Sequence, residues 1–163
     1  TTIIGGNRSS RLFQEVREKL SLAYYVWADV HQYHETGIFG AQAGVNLDQV
    51  EPAIEATVNV FHQLATGKQP LTEQEITQAK AYITGRMVLG LEDSQSVARY
   101  FGLKDLLLNE IEDPDEAMAK LKAVTKAEVE ALAADIVRKG ELRLAVIGPY
   151  QDDKRFVQFV QNY

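Results

Sequence analysis

Residues 9–45 read SSRLFQEVREKLSLAYYVWADVHQYHETGIFGAQAGV, and this stretch decides the fold. Its first part is helical: Leu12, Phe13, Val16 and Leu20 recur at the spacing of an apolar helix face, with Ser9 or Ser10 placed to cap it. Ser21 breaks the period. From Leu22 to about Glu35 the residues turn aromatic and β-branched (Tyr24, Tyr25, Val26, Trp27, Val30, Tyr33), which is strand composition. Thr36-Gly37 is a turn signal. Ile38 to Val45 then reads as an antiparallel return strand with Phe39, Ala41, Ala43 and Val45 on its apolar face.

Downstream the period is helical again. Asn46 and Asp48 mark a helix start, Leu47, Val50, Ile54, Val58, Phe61 and Ala65 form its buried stripe, and Gly67 stops it. Thr72 with Glu75 has the spacing of a capping box ahead of Ile76, Ala79, Ile83 and Met87. A break between Gly90 and Ser94 precedes a helix through Val97, Phe101, Leu103 and Leu107 that ends near Asn109. Asp113-Pro114 opens another, with proline in a permitted first-turn position. Thr125 with Glu128 is a second capping box, heading a helix through Val129, Leu132 and Ile136. Leu142, Leu144 and Val146 alternate as a third strand before Gly148-Pro149, and Phe156, Val157 and Val160 suggest a short last helix. The expected fold class is α+β: an antiparallel sheet, three strands in this chain, covered on one face by several helices. So small a sheet for so much helix fits residues 1–163 as a single domain lacking its first strands and helix.

The length suits one domain with a real core. Hydrophobic residues at 45% and charged residues at 25% are ordinary globular composition, which excludes disorder. A formal net charge of −6 argues against a nucleic-acid partner, which needs a basic footprint. Without cysteine there are no disulfides, thiolate zinc sites or thiol nucleophiles, and the redox compartment stays open. No apolar run approaches the roughly 20 residues that span a bilayer.

Three features invite chemistry. His31 and His34 with Glu35 look like a metal site, but in a strand the two histidines point to opposite faces, and His62 has no evident ligand partner in sequence. Their order also differs from His-x-x-Glu-His, in which the glutamate lies between the histidines. No metal ligand is therefore expected in this chain. Gly5-Gly6-Asn7 precedes the first helix, where backbone N–H groups could bind a peptide carbonyl, or where a tight turn simply feeds the helix. It lacks the endings of a P-loop or a dinucleotide fingerprint. No serine-triad signature is present, and the paired carboxylates Glu73/Glu75 and Glu128/Glu130 are expected on solvated helix faces. The third feature is Arg17, in the last turn of the first helix, with Tyr24 near the start of the following strand. Together a guanidinium fork and a phenol could grip peptide carbonyls or steady an oxyanion. Alternatively Arg17 answers the helix macrodipole and Tyr24 lies in phase with Val26, Ala28 and Val30 on an apolar face. The pattern alone favours this structural reading.

The run Gly5-Gly6-x-x-Ser9-Ser10-Arg11-Leu12-Phe13-x-x-Val16-Arg17-Glu18-Lys19-x-x-Leu22-Ala23-Tyr24 closely resembles the second-domain motif of the pitrilysin and mitochondrial processing peptidase family of zinc peptidases. Asp113-Pro114, Val124-Thr125-x-x-Glu128-Val129 and Leu144-Ala145-Val146-Ile147-Gly148-Pro149 extend the resemblance to the end of the chain. The resemblance implies a C-terminal-type, metal-free half of a clamshell that closes on an unfolded peptide. Zn2+ would be held by the N-terminal-type half, in another domain or subunit. Arg17 and Tyr24 would hydrogen-bond substrate carbonyls, Tyr24 also the oxyanion, and this chain alone would be inactive. A non-catalytic scaffold or core subunit of the same fold is the alternative, and a peptide-binding module without a peptidase partner is a third. Ser21 stands where the family often has glycine. The missing strands would leave a sheet edge able to pair with another copy.

Overall fold

The hairpin consists of β1 (Tyr25–Gln32) and β2 (Gly37–Gly44), with Val26 opposite Ala43, Ala28 opposite Ala41 and Val30 opposite Phe39. These coordinates are a computed structural model that describes residues 1–138 and 140–161. Alternation along the strands sorts the side chains. Val26 and Ala28 are buried, and Phe39 and Ala41 pack against the same core. Tyr25 and Trp27 lie on the opposite face, both partly exposed, their rings stacked 4.7 Å apart. Ala43, expected on the apolar face, is exposed, while Val45 beyond it packs against the core. His34 falls in the turn beyond β1, so strand alternation does not govern where it points.

Two strands alone are marginal in water, and this pair depends on what covers one face. α1 (Thr2–Gly5) lies against β1 so closely that a methyl group at Gly5 would sit 2.2 Å from the Ala28 backbone nitrogen. Residues Phe13–Lys19 pack on the same strand and follow Leu12, so that Leu12 and Val16 are fully buried. The spacing predicts an α-helix here; the structure forms a π-helix instead, in which the Leu20 N–H reaches the Glu15 carbonyl at 3.1 Å. A four-residue spacing between two core residues suits either winding, which is why periodicity does not separate them. Neither serine side chain caps this segment. Ser9 donates its N–H to Asn7 Oδ1 at 2.8 Å, and Ser10 is buried. Leu20, expected on the buried stripe, is the C-terminal cap residue and 47% exposed.

α2 (Val50–Ala65) buries Val50, Ala53, Val60 and Leu64, and Phe61 meets Phe39 edge-on at 5.4 Å. Leu47 lies outside the helix and is exposed, contrary to the expected stripe. α3 (Glu73–Gly90), α4 (Ser94–Leu108), α5 (Pro114–Ala123), α6 (Lys126–Ile136) and α7 (Lys154–Gln161) follow. Both capping boxes are formed, and the Asp93 and Asp113 side chains cap α4 and α5. α6 packs on α2, bringing Val129 and Ala133 to the core, and α7 docks through buried Phe156 and an Arg155–Glu51 pair at 2.9 Å.

The expected third strand is not formed. Among the described residues the sheet has two strands, and 141–147 join no ladder, although Leu142, Leu144 and Val146 are half-buried in alternation with exposed neighbours. Alternation records which side faces the core; a strand also needs a neighbour to pair with. Of the carboxylates expected on solvated faces, Glu73 and Glu128 are exposed, whereas Glu75 and Glu130 are half-buried. Glu128 is bonded within its capping box, and Glu130 accepts the Leu71 N–H at 2.8 Å.

Glu75 is the most engaged of them. Arg11 sends Nε to its Oε1 at 2.6 Å and Nη2 to its Oε2 at 3.0 Å. The same guanidinium donates to the carbonyls of Gln69 at 2.7 Å and Pro70 at 2.9 Å. One side chain thus clamps the start of the first helical segment to the α2–α3 connection and to the cap of α3. Burial pushes the Glu75 carboxyl up, but hydrogen bonds from Arg11 and Thr72 outweigh it and hold it below its ordinary value of 4.5. A depressed carboxylate stabilises the fold above that value and loses its contribution as pH falls through the folded one. Glu75→Gln is therefore expected to cost about 2 kcal/mol at neutral pH. In urea titrations that difference should shrink as the pH is taken below 4.5; a pH-independent difference would contradict the ion pair. Gly5→Ala should destabilise by about 2 kcal/mol, since the contact with Ala28 leaves no room for a methyl group. An unchanged urea midpoint would show that α1 yields.

Candidate functional site

Two arginines of one helical segment have opposite fates. Arg11 has a side chain only 15% exposed, and its fork is consumed by the four bonds just described. Arg17, in the last turn of the π-helix, is 41% exposed at its side chain. Its guanidinium carbon lies 4.7 Å from the centre of the Phe13 ring. Glu18 approaches it only to 4.0 Å, and among the described residues nothing accepts a hydrogen bond from it. The Phe13 ring steadies the planar cation by stacking without occupying its donors. What remains is a supported, uncommitted fork.

Tyr24 shares that character. Its N–H donates to the Gly44 carbonyl at 2.8 Å, which ties its backbone to the end of β2. The side chain is 84% exposed and its hydroxyl has no partner among the described residues. Sequence phase places it with Val26, Ala28 and Val30 on the apolar face. Instead it precedes β1, where the pleat does not hold it, and Val30 is also exposed at 46%. The structural reading of Tyr24 as a core residue therefore fails.

The junction between these residues is tight. Leu20 closes the π-helix, Ser21 takes φ 52°, and the Leu22 N–H turns back to the Val16 carbonyl at 2.9 Å. Left-handed backbone favours glycine, so a serine at residue 21 is strained. Because the π-helix packs on β1, Arg17 and Tyr24 emerge on either side of this four-residue turn.

The Gly5-Gly6-Asn7 loop leads into the same segment. Gly5 is buried against β1, whereas Gly6 is exposed and Asn7 half-buried. A methyl group on Gly6 would lie 2.7 Å from the Thr2 α-carbon. Sequence reading missed a contact here: the Tyr82 hydroxyl of α3 lies 3.3 Å from the Gly6 carbonyl oxygen. Tyr82 reads as one more aromatic on a helix, and nothing in the sequence marks a partner 76 residues away. As for metal chemistry, His31 sits 3.4 Å from Asp29, and no group of three His, Asp or Glu residues among those described is close enough to hold an ion. No helix among them is long and apolar enough to cross a membrane.

Residues 1–83 match the family described as the peptidase M16 inactive domain. The chain is similar to an uncharacterized zinc protease of Streptomyces coelicolor, 36% identical over 151 residues that make up 93% of this chain and 32% of that protein. It is also similar to a probable inactive metalloprotease of Bacillus subtilis, 28% identical over 144 residues, 85% of this chain and 30% of the relative. The solved peptidase M16 inactive domain from Pseudomonas fluorescens superposes with a TM-score of 0.73 over 82% of this chain and 32% of its own, at 21% identity. At that identity the likeness is one of fold. The chain spans about a third of the length of the curated relatives it matches.

The strain at Ser21 yields a measurable consequence. Ser21→Gly should raise stability by about 1 kcal/mol by relieving the left-handed backbone. A thermal melt that moves downward would mean that the serine side chain supplies a contact worth more than the strain.

Proposed function

The chain belongs to the peptidase M16 inactive-domain family, and from that premise we propose that it is the substrate-gripping, C-terminal-type half of a zinc-dependent endopeptidase. The carrying observation is the contrast between the two arginines. Arg11 is spent on the fold, while Arg17 is held by Phe13 with its donors free, and across the following turn stands an exposed phenol whose backbone is fixed. In this reading Arg17 donates to carbonyls of an extended peptide and keeps it in register. Tyr24 donates its hydroxyl proton to the carbonyl oxygen as negative charge develops there. From the Gly5-Gly6-Asn7 loop the Asn7 N–H serves the same strand of substrate, the Gly5 and Gly6 N–H groups being bonded to the Thr1 and Thr2 carbonyls. Zinc, held by another domain or subunit, would supply an activated water. The chain on its own is inactive, and its unpaired sheet edge is completed by the remainder of its domain or by a second copy.

A non-catalytic scaffold of the same fold is the competing reading, and the relative described as a probable inactive metalloprotease supports it. Kinetics on the assembly with its zinc-bearing half separate the two. Arg17→Ala and Tyr24→Phe are each expected to lower kcat/KM on an unfolded peptide by about tenfold or more, roughly 1.4 kcal/mol of transition-state stabilisation. Values within about twofold of the unmodified assembly would sink the gripping role.

A further inference from the structure

We propose that Tyr82 and Arg86 of α3 are positioning residues for the Gly6-Asn7 peptide unit, and that the Asn7 N–H they polarise donates to a carbonyl of the bound peptide. The inference rests on the chain being a peptide-gripping half. Arg86 Nη1 lies 3.2 Å from the Tyr82 hydroxyl, which lies 3.3 Å from the Gly6 carbonyl oxygen. The two side chains stand one turn apart on α3, Arg86 exposed and Tyr82 half-buried.

Chemistry alone sets the direction of this relay. A guanidinium only donates and a carbonyl only accepts, so the phenol accepts from Arg86 and gives its own proton to Gly6. Donation to a carbonyl draws electron density toward the oxygen and leaves the N–H of the same amide more positive, so the bonds reinforce one another. The N–H of that amide belongs to Asn7. It donates to nothing among the described residues, nor does the Arg8 N–H, whereas those of Gly6, Ser9 and Ser10 are engaged. The Gly6 N–H bonds Thr2 at 3.3 Å and the Ser10 N–H bonds the Asn7 carbonyl at 3.1 Å. The Ser9 N–H bonds Asn7 Oδ1 at 2.8 Å. The loop is therefore held on three sides and presents one sharpened donor. An uncharged N–H is matched by a neutral acceptor, which an extended peptide offers at every residue. Both links are longer than the usual hydroxyl bond, so the relay orients and modestly strengthens.

The test uses the assembly of this chain with its zinc-bearing half and a fluorescein-labelled, denatured casein peptide. Tyr82→Phe keeps the ring and removes the link. It should raise Kd and KM about fivefold, the worth of one neutral hydrogen bond, with kcat unchanged. Arg86→Ala, on an exposed side chain, should raise both in the same direction by less, and Arg86→Lys should restore part of the loss. Tyr82→Phe that leaves Kd and KM unchanged overturns the relay, as does a fall in melting temperature without a change in KM. Arg17→Ala and Tyr24→Phe run alongside. If they weaken the peptide while the Tyr82 and Arg86 variants do not, only the relay fails. If none of the four changes Kd or kcat/KM, the gripping reading itself is lost.

Discussion

The Arg11 guanidinium is the constraint on which the rest of the architecture hangs. It satisfies a carboxylate bidentately and two loop carbonyls at once, so a single planar group sets the position of the first helical segment against α3. The carboxylate it meets is already committed to the cap of α3 through Thr72. Shifting either element by an ångström breaks several bonds together. From that clamp the order of assembly follows outward. The π-helix lies where Leu12 and Val16 can be buried, β1 lies where Val26 and Ala28 can meet them, and the hairpin gains the covered face it cannot do without.

The same clamp governs the candidate site. α3 is the element that carries Tyr82, and its placement by Arg11 and Glu75 brings that phenol to Gly6. The π-helix that starts just after Arg11 carries Arg17 in its last turn. Structural and functional duties thus alternate within one helical segment: the early arginine anchors, the later one is left available. Leaving a guanidinium without acceptors in a fold costs little only when the group stays hydrated. Its 41% exposure and the flat ring of Phe13 beneath it meet that condition.

What the sequence makes legible here is local. The hairpin, both capping boxes, the proline-headed α5 and the break before α4 all rest on residues within a few positions of one another, and local chemistry is what composition and spacing encode. The Arg11–Glu75 pair is 64 residues long-range, and Tyr82 with Gly6 longer still, so neither leaves a periodic trace. The third strand fails for the converse reason: alternating Leu142, Leu144 and Val146 describes a side facing inward and says nothing about a ladder partner. Tyr24 illustrates the limit at one residue. Its phase with Val26 is real in sequence, but the left-handed Ser21 re-aims the chain before the pleat begins. For the two arginines, the sequence contains identical side chains in one helical segment; their acceptors tell them apart.

The π-helix carries an implication for how such a segment can change over evolution. A bond from each N–H to the fifth residue back encloses one more residue than an α-helical turn. A single deletion between Phe13 and Arg17 would let the segment relax to ordinary α-helix at no loss of backbone bonding. The wider turn already absorbs the extra residue, so Leu12 would stay in the core and positions beyond the deletion would keep nearly their present direction. Arg17 would then follow Phe13 by three residues in place of four, a spacing that keeps both on one face of an α-helix. The extra residue of the π-helix can therefore be gained or lost without re-aiming Arg17.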